Sequence, residues 1–356
     1  MGLPAPGGSS SIGLTPARRG VVVLVDGLGY EQLRRRGGHA PFLRALLPSA
    51  RRLSAGFPST TATSMGTFGT GLPPGTHGLL GYEVLVPGQD RLVNELSWEN
   101  GPDPFAWQPE ETVFQRLAAA GVVVTRVGPG YFDGSGLTNA ALRGGEFRAA
   151  EGLPDRVDAT LAALREAPRS LVYLYWGDLD KVGHVHGVAS WEWGEELGTI
   201  DAELRRLVES VPLDTGVTIT ADHGMVDSPH ALRIDVAHDA ELDAGVRHIG
   251  GEPRALQLYC EAGAVDDVLA TWHGRVDERA WIRSRDEAVA EGWFGALEPR
   301  NLPRIGDVIV AMRDNFAIVD SRRLRPQLLA LLGLHGSLTP DEAAIPLVHV
   351  PPRHTA

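Results

Sequence analysis

Cysteine is nearly absent from this 356-residue sequence, which contains only Cys260. One cysteine excludes an intramolecular disulfide and offers no cysteine-based zinc site. The sequence also lacks an apolar run long enough to cross a membrane. Its first twenty residues lack the apolar segment of a signal peptide. We therefore predict a cytoplasmic protein that has no membrane partner and begins with a flexible tail over residues 1–18.

Positively charged residues are fewer than negatively charged residues in this sequence. The sequence has 33 Lys and Arg against 45 Asp and Glu, which gives a net charge of −12. An acidic protein is repelled by the phosphates of a nucleic acid duplex and by anionic membranes, so neither is an expected partner. Small phosphate compounds remain candidate ligands, because bound metal ions can supply positive charge locally.

Short apolar runs rich in β-branched residues predict strands that are buried on both faces, as in a parallel sheet. The clearest runs lie at 21–25, 121–127, 171–176 and 217–221. Amphipathic helical patterns separate them. The alternation of strand and helix over most of residues 19–225 predicts a doubly wound α/β sheet.

The alternation changes after residue 227. Residues 254–260 and 307–312 are typical of strands, and residues 265–274 are typical of a helix. We predict a small α+β subdomain over residues 228–322, inserted into a core formed by residues 19–227 and 323–356. The last part of the chain should form a helix, a turn around His335 and a final strand of the core.

Acidic residues follow three of the four predicted strands. Asp26 follows the first, Asp178 and Asp180 follow the third, and Asp222 follows the fourth. Such an Asp can cap a helix or form a turn. In open α/β sheets, however, loops at the carboxyl ends of strands form the ligand crevice, so these carboxylates are predicted to share one pocket. The glycines of residues 27–29 favour close approach of the backbone to a bound ion.

Hydroxyl side chains are concentrated in STTATS, residues 59–64, before a glycine-rich turn. Ser and Thr are favoured as helix N-caps, which is one interpretation of this segment. The same position can place a hydroxyl where the helix dipole and free N–H groups stabilise an alkoxide or a phosphoryl oxygen. Because an alcohol is a weak nucleophile at neutral pH, a catalytic role requires metal ligands elsewhere in the chain.

Three histidines stand in patterns that suit metal ligands. His184 follows Asp180 by one helical turn, so both side chains can converge on one ion. His223 directly follows Asp222, and His335 directly precedes a glycine. A single histidine is more often a surface or hydrogen-bonded residue than a ligand. The combination of these positions at predicted strand ends nevertheless indicates a metal site.

The sequence contains five motifs in this order: VDGLG, FPSTTATS, DxxGHxxG, DHGM and a late HG. This set resembles the nucleotide pyrophosphatase/phosphodiesterase branch of the alkaline phosphatase superfamily, from residue 20 to about 345. The resemblance implies a three-layer, doubly wound, mostly parallel α/β sheet of the alkaline phosphatase type. It also implies two divalent ions, expected to be Zn²⁺, with these ligands: Asp180, His184 and His335 for one ion, and Asp26, Asp222 and His223 for the other.

The resemblance further implies a reaction. Thr61, beside the second ion, would attack the phosphorus of a small phosphate ester, and water would release the resulting phospho-threonine. The choice of Thr61 over Thr60 rests on the family motif. The family often has Asn three residues after the nucleophile, where it helps to hold a phosphoryl oxygen. This chain has Ser64 instead, whose hydroxyl can donate one hydrogen bond to that oxygen.

Charge counting favours a phosphodiester or phosphoanhydride of nucleotide-like size as the substrate. Two divalent ions are balanced by three carboxylates and an alkoxide, and no arginine in the nucleophile motif compensates a dianion. Arg51, Arg52 and Arg254 remain candidates for that task.

Two alternatives stay open on the sequence alone. One is a phosphomonoesterase or phosphonate hydrolase on the same scaffold, which the substrate profile would distinguish. The other is a catalytically silent binding protein that retains the fold, which metal content would distinguish. The sequence does not indicate the oligomeric state.

Overall fold

The structure is a computed structural model that describes residues 12–353. Most of the predicted tail, residues 1–11, lies outside the described range. The strands, in chain order, are β1 (Arg19–Val25), β2 (Arg51–Ser54), β3 (Glu83–Leu85), β4 (Leu92–Asn94), β5 (Val123–Gly128), β6 (Glu146–Ala149), β7 (Ser170–Trp176), β8 (Thr215–Thr220), β9 (Val226–Asp227), β10 (Arg233–Asp235), β11 (Val246–Glu252), β12 (Ala255–Cys260), β13 (Ala280–Ser284), β14 (Val308–Met312), β15 (Ala317–Val319), β16 (Gly333–Leu334) and β17 (Ala344–Val350).

The α-helices, in chain order, are α1 (Tyr30–Arg36), α2 (Pro41–Leu46), α3 (Thr61–Thr70), α4 (Pro74–His77), α5 (Pro104–Trp107), α6 (Val113–Ala119), α7 (Gly136–Ala141), α8 (Leu153–Glu166), α9 (Asp178–His186), α10 (Trp191–Ser210), α11 (Ala240–Asp243), α12 (Val265–Val276), α13 (Arg285–Ala290), α14 (Pro326–Leu329) and α15 (Pro340–Ala343). Short 3₁₀ turns join several of these elements. None of the helices within residues 12–353 has the length and apolar character needed to span a bilayer.

A seven-stranded sheet forms the centre of the molecule, in the order β2-β17-β8-β1-β7-β5-β6. β1 pairs in parallel with both β7 and β8, and β5 pairs in parallel with β7 and β6. Only β17 runs against its neighbours β8 and β2 among the strands of this sheet. The predicted doubly wound, mostly parallel sheet is therefore confirmed, and the four predicted strands all belong to it.

Helices cover both faces of the central sheet, which makes three layers. Along β1, Val21, Val23 and Val25 point into one hydrophobic core, whereas Leu24 points into the other. This alternation follows from the two-residue period of a strand. Helices α8 and α10 bury apolar residues in the first core, and α3, α6 and α7 do so in the second.

Helix α10 illustrates how the sequence positions these layers. The Ser190 side chain caps it by accepting a hydrogen bond from Trp193 N at 3.1 Å. Its buried residues recur at helical spacing and form one apolar stripe: Trp193, Leu197, Ile200, Leu204 and Leu207. Full burial of each such aliphatic side chain contributes roughly 1.5–3 kcal/mol. The stripe therefore fixes this helix against the sheet.

A second, antiparallel sheet lies within residues 228–322, in the strand order β11-β12-β14-β13. It shares a separate apolar core with α12, in which Trp272 is fully buried. The α+β character predicted for this segment agrees with these elements. The boundaries at 228 and 322 stay a prediction.

The helix expected in the last segment is much shorter than its apolar sequence suggested. α14 begins at Pro326 and has only four residues, and the following Gly333 and Leu334 form β16, which pairs with β9. Leu332 N also donates to His184 O at 2.7 Å. Pairing with distant segments thus replaced the local helical preference.

Three adjacent strands of the central sheet end at the same edge. Because β8, β1 and β7 are neighbours, the residues that follow them emerge together: Asp222 after β8, Asp26 after β1 and the first turn of α9 after β7. Asp180 lies in that first turn. The strand order therefore brings the three carboxylates to one pocket, as the sequence predicted.

A buried ion pair connects the antiparallel sheet to helix α15. Arg254 donates to the Glu342 carboxylate from Nε at 2.8 Å and from Nη2 at 2.6 Å, with both side chains fully buried. Glu342 also accepts from Ser337 N at 3.0 Å and from Thr339 Oγ1 at 2.5 Å. The pair thereby fixes the turn that follows His335. It also occupies Arg254, so the idea that Arg254 reaches the crevice was wrong.

We expect Glu342→Gln to lower the free energy of unfolding by about 3–5 kcal/mol, because it leaves the Arg254 guanidinium buried without a counter-charge. Urea denaturation followed by circular dichroism measures this loss. The matched control is Glu209→Gln, which removes a partner from the exposed Arg205–Glu209 pair and should leave the midpoint unchanged. Equal midpoints for both variants would contradict the structural role of the buried pair.

Candidate metal centre

Thr61 is the first residue of α3, directly after its N-cap Thr60, whose backbone is extended at φ −137° and ψ 153°. The N–H groups of a first helical turn have no intrahelical acceptor, and the helix dipole is positive there. Thr61 Oγ1 lies 3.2 Å from His223 Nε2. The hydroxyl is thus at a helix N-terminus and beside one of the predicted metal ligands.

Each of the three carboxylates has one oxygen that is used and one that is not. Tyr175 OH donates to Asp26 Oδ2 at 2.5 Å, and Gly27 N donates to Asp222 Oδ1 at 3.1 Å. Asp26 Oδ1, Asp222 Oδ2 and Asp180 Oδ1 are buried and have no hydrogen-bond partner. Unpaired carboxylate oxygens are costly to bury, and a cation among them would remove that cost. The donor set therefore fits a divalent ion.

The histidines present their Nε2 atoms to the same space, because each Nδ1 is held by a backbone carbonyl. His184 Nδ1 lies 2.7 Å from Gly333 O, His223 Nδ1 3.0 Å from Gly224 O, and His335 Nδ1 3.1 Å from Ser59 O. A carbonyl only accepts, so Nδ1 carries a proton in each case, and Nε2 is the ring nitrogen that is left to face a metal ion. This tautomer is the one that metal-binding histidines need.

Two groups of three side chains each bring ligand atoms within 4.8 Å of one another: Asp180, His184 and His335 in one, and Asp26, Asp180 and His223 in the other. The first group is the predicted set. In the second group, Asp180 stands where Asp222 was predicted. Asp222 Oδ2 is nevertheless 3.5 Å from His223 Nε2, so it adjoins this group. All six predicted ligands form one cluster, and their division between two ions stays a prediction.

Buried charge perturbs the acid–base behaviour of the cluster. Burial, with the nearby charges of Asp222 and Asp180, raises the pKa of Asp26 well above its ordinary value. Burial and the charge of Asp180 raise the pKa of Asp222 to about 7. Burial would also raise the pKa of Asp180, but the charge of His184 outweighs it and lowers that pKa. Two of the carboxylates thus resist ionisation until positive charge is supplied.

Close backbone approach is needed for this arrangement at Gly27, which has φ +72°. A Cβ atom there would lie 3.0 Å from the Cβ and 3.1 Å from Oδ1 of Asp180. Glycine accepts both the positive φ and the contact. The glycine after Asp26 thus allows the β1 loop and helix α9 to touch.

The Ser64 hydroxyl donates to Asp222 O at 2.8 Å. Its single proton is therefore engaged with the main chain, and it connects α3 to the loop that carries Asp222 and His223. Contact between Ser64 and a phosphoryl oxygen would require this hydrogen bond to break. The substrate-binding role of Ser64 stays a prediction.

A cavity of about 660 Å³ opens beside Thr61 and the metal-ligand cluster. Sequence reasoning missed Glu252, at the end of β11, which lines this cavity and lies with Oε2 3.5 Å from His335 Nδ1. Burial raises the pKa of Glu252 to about 8. It also missed the bond from Tyr175 to Asp26 and the position of Arg126 in the cavity wall. None of these residues belongs to a motif that would have revealed its position.

Two other polar residues considered above lie away from the cluster. Asp178 pairs with Lys181 at 2.7 Å on the exposed side of α9. Arg52 pairs with Glu31 at 3.2 Å. Neither contributes a ligand or a counter-charge at Thr61.

The sequence matches the family described as Type I phosphodiesterase / nucleotide pyrophosphatase over residues 20–338. A search of curated protein sequences finds no match. Among solved structures, murine ectonucleotide pyrophosphatase/phosphodiesterase 5, in an inactive threonine-to-alanine form in complex with AMP, superposes with a TM-score of 0.75 at 18% identity, over 93% of this chain and 87% of that one.

The human ectonucleotide pyrophosphatase/phosphodiesterase 5 gives a TM-score of 0.73 at 20% identity, over 93% of this chain and 87% of the other. Phosphonoacetate hydrolase from Sinorhizobium meliloti 1021, in complex with phosphonoformate, gives 0.69 at 20% identity, over 94% and 90%. At these identities the structures establish a shared fold. The expected alkaline phosphatase-like architecture is thereby confirmed.

We expect the metal-free protein to lose stability as the pH rises from about 4 to about 7. The folded-state pKa of Asp222 is raised from 3.8 to about 7. Its protonated form therefore stabilises the fold fully below pH 3.8, and this contribution is lost as the pH rises through the folded pKa. Urea denaturation of EDTA-treated protein should show a fall of roughly 1–3 kcal/mol in the free energy of unfolding over this range.

Asp222→Asn is the matched control, because it removes one titrating group and should make this part of the profile less steep; Glu95 and Glu252, whose pKa values burial raises to about 7 and about 8, keep the remaining slope. An excess of divalent ion should restore stability to the wild type at about pH 7, since binding to the folded state alone stabilises it. A metal-free wild type that is equally stable at both ends of the range would contradict the electrostatic account.

Proposed function

Because the chain belongs to the Type I phosphodiesterase / nucleotide pyrophosphatase family, we propose that it is a two-metal hydrolase of phosphodiester or phosphoanhydride bonds in small nucleotide-like molecules. Family membership supports phosphoester hydrolysis in general. The observation that carries the finer proposal is the cluster of orphaned carboxylate oxygens and histidine Nε2 atoms beside the Thr61 hydroxyl.

We assign two divalent ions, taken to be Zn²⁺, to this cluster, with these ligands: Asp180, His184 and His335 for one, and Asp26, Asp222 and His223 for the other. When bound, the ions supply positive charge that offsets the carboxylates and the phosphoryl oxygens. The chain supports this by fixing each imidazole through a carbonyl and by leaving one oxygen of each carboxylate unpaired. Metal-ligating histidines ordinarily have such outer partners.

Thr61 is the proposed nucleophile. Its Oγ1 lies 3.2 Å from His223 Nε2, the atom that we assign to the second ion. The positive charge of that ion would therefore lie beside Oγ1 and favour its alkoxide form. Thr61 Oγ1 forms a bond to phosphorus, and the bond from phosphorus to the leaving oxygen breaks. Water then hydrolyses the phospho-threonine. The N-terminus of α3 stabilises negative charge on the phosphoryl oxygens throughout.

The cavity supports a substrate of nucleotide size. Its volume of about 660 Å³ lies in the usual range for small-molecule sites. The aromatic rings of Tyr131, Phe132 and Tyr175 line one wall, where a planar group can pack. The murine relative was solved with AMP, which supports this substrate class.

Phosphonate hydrolysis is the second candidate, because phosphonoacetate hydrolase shares the fold over 94% of this chain. Phosphomonoester hydrolysis on the same scaffold would instead require compensation of a dianion at Thr61. A silent binding protein is disfavoured, since every predicted ligand position retains a side chain that can bind a metal.

Hydrolysis of bis-p-nitrophenyl phosphate beside p-nitrophenyl phosphate tests this proposal. We expect the diester to be cleaved with the higher kcat/KM, and EDTA to abolish cleavage until Zn²⁺ is added back. Thr61→Ala should lower kcat/KM by roughly 10³-fold or more, because the attacking oxygen is lost. Thr61→Ser, the matched control, keeps that oxygen and should retain most of the activity.

Each contrary result would address a different step. Undiminished activity in Thr61→Ala would remove Thr61 as the nucleophile. Faster cleavage of the monoester would contradict the charge argument. If zinc-loaded wild type cleaved neither compound, the diesterase assignment would be wrong for these substrates, and the silent binding protein or a phosphonate hydrolase would replace it.

A further inference from the structure

Arg126, on β5, is a buried cation in the wall of the cavity that contains Thr61. Only 8% of the residue is exposed. Among residues 12–353, its one hydrogen bond is a long contact of 3.5 Å from Nη2 to Gly145 O, and its Nε has no partner. No carboxylate of the described chain forms an ion pair with it. A guanidinium has five N–H donors, so most of its capacity is unused.

Two other buried arginines, Arg156 and Arg254, donate from every guanidinium nitrogen, and a third, Arg304, donates from both Nη atoms to backbone carbonyls at 2.7 and 3.0 Å. Arg156 donates to three backbone carbonyls, at 2.7, 2.8 and 2.9 Å. Arg254 makes a bidentate pair with Glu342. Burial of a charged group is costly without such compensation, and burial lowers the pKa of Arg126 below its ordinary value. Arg126 thus differs from them in lacking its acceptors.

The surroundings of Arg126 compensate its charge only in part: the exposed carboxylate of Asp133 is near enough to raise its pKa, but it forms no ion pair with the guanidinium. Its Cζ lies 5.6 Å from the centre of the Phe147 ring, a cation–π contact that uses none of the N–H donors. Leu137, Leu142 and Tyr173 line the cavity in the same region. A single cation among apolar and aromatic side chains is suited to an anionic ligand that brings its own acceptors.

We propose that Arg126 binds a second anionic group of the substrate, a carboxylate or a phosphate, on the part of the molecule that Thr61 does not attack. This inference rests on the proposed function, because the attacked phosphorus occupies the metal centre of the same cavity. The guanidinium holds two oxygens of the anion side by side, which lysine does not do. The substrate class is accordingly a phosphate ester, anhydride or phosphonate with an anionic arm.

Binding measurements in zinc-loaded Thr61→Ala protein separate recognition from turnover. The probes are ω-carboxyalkylphosphonates with one to four methylenes and their neutral carboxamides, titrated by calorimetry. We expect the best acid to bind at least about tenfold more tightly than its amide, and Arg126→Gln to abolish this preference. Alkylene bisphosphonates of the same lengths reveal whether a phosphate or a carboxylate is preferred; tighter binding of either, lost in Arg126→Gln, supports the proposal.

Arg323→Gln is the matched control. Arg323 lines the same cavity, but it is paired with Glu83 at 3.2 Å, so its loss should leave the acid-to-amide ratio unchanged. If Arg126→Gln does not fold, Arg126→Lys tests the same point, with an expected partial loss of the ratio. An acid preference that persists in Arg126→Gln, or no acid preference at any length in the Arg126 protein, would overturn the inference.

A failure of the proposed function gives a different pattern. If the wild type cleaves no phosphodiester while the acid-to-amide preference still depends on Arg126, the anion site stands and the substrate assignment falls. If cleavage proceeds but the preference is independent of Arg126, the proposed function stands and the anion site falls.

Discussion

The arrangement of this protein depends on the burial of three carboxylates at one point. Burial, together with repulsion among Asp26, Asp180 and Asp222, raises the pKa values of Asp26 and Asp222. The fold tolerates this because one oxygen of each carboxylate has a partner: Tyr175 for Asp26, main-chain N–H groups for Asp222 and His184 for Asp180. A cluster so organised is stable in its ionised form only with cations, which connects metal binding directly to folding.

Distant segments of the chain must close around the cluster before its histidines are oriented. The carbonyls that hold them belong to Gly333, Gly224 and Ser59. Ser59 N in turn donates a hydrogen bond to Gly336 O at 2.9 Å, which holds the segment after His335 against the start of α3. The Arg254–Glu342 pair then fixes the turn after His335 from the side of the antiparallel sheet. The geometry around Thr61 therefore relies on packing between the central sheet and the antiparallel sheet.

Positive charge is distributed around the cavity in two different ways. Arg52 and Arg254, two of the arginines considered for the phosphoryl group, are engaged with Glu31 and Glu342 instead. Farther along the wall, Arg126 is buried with most of its donors unused. Such a division would let metal ions act on the reacting phosphorus while the arginine selects the remainder of the substrate. Selectivity and reaction would then be controlled by separate parts of one cavity.

Local sequence patterns predicted the sheet and the side chains that form the polar cluster, because strand-end positions and the one-turn spacing of Asp180 and His184 are short-range geometry. They did not predict β17 as an antiparallel strand, the short α14, or the Asp180-containing second group of ligand atoms. The contacts of Glu252, Tyr175 and Arg126 were not predicted, because they join segments far apart in the chain. The sequence determined which side chains are candidate ligands; only tertiary packing decided which of their atoms meet, since that depends on strand order and on contacts between distant segments.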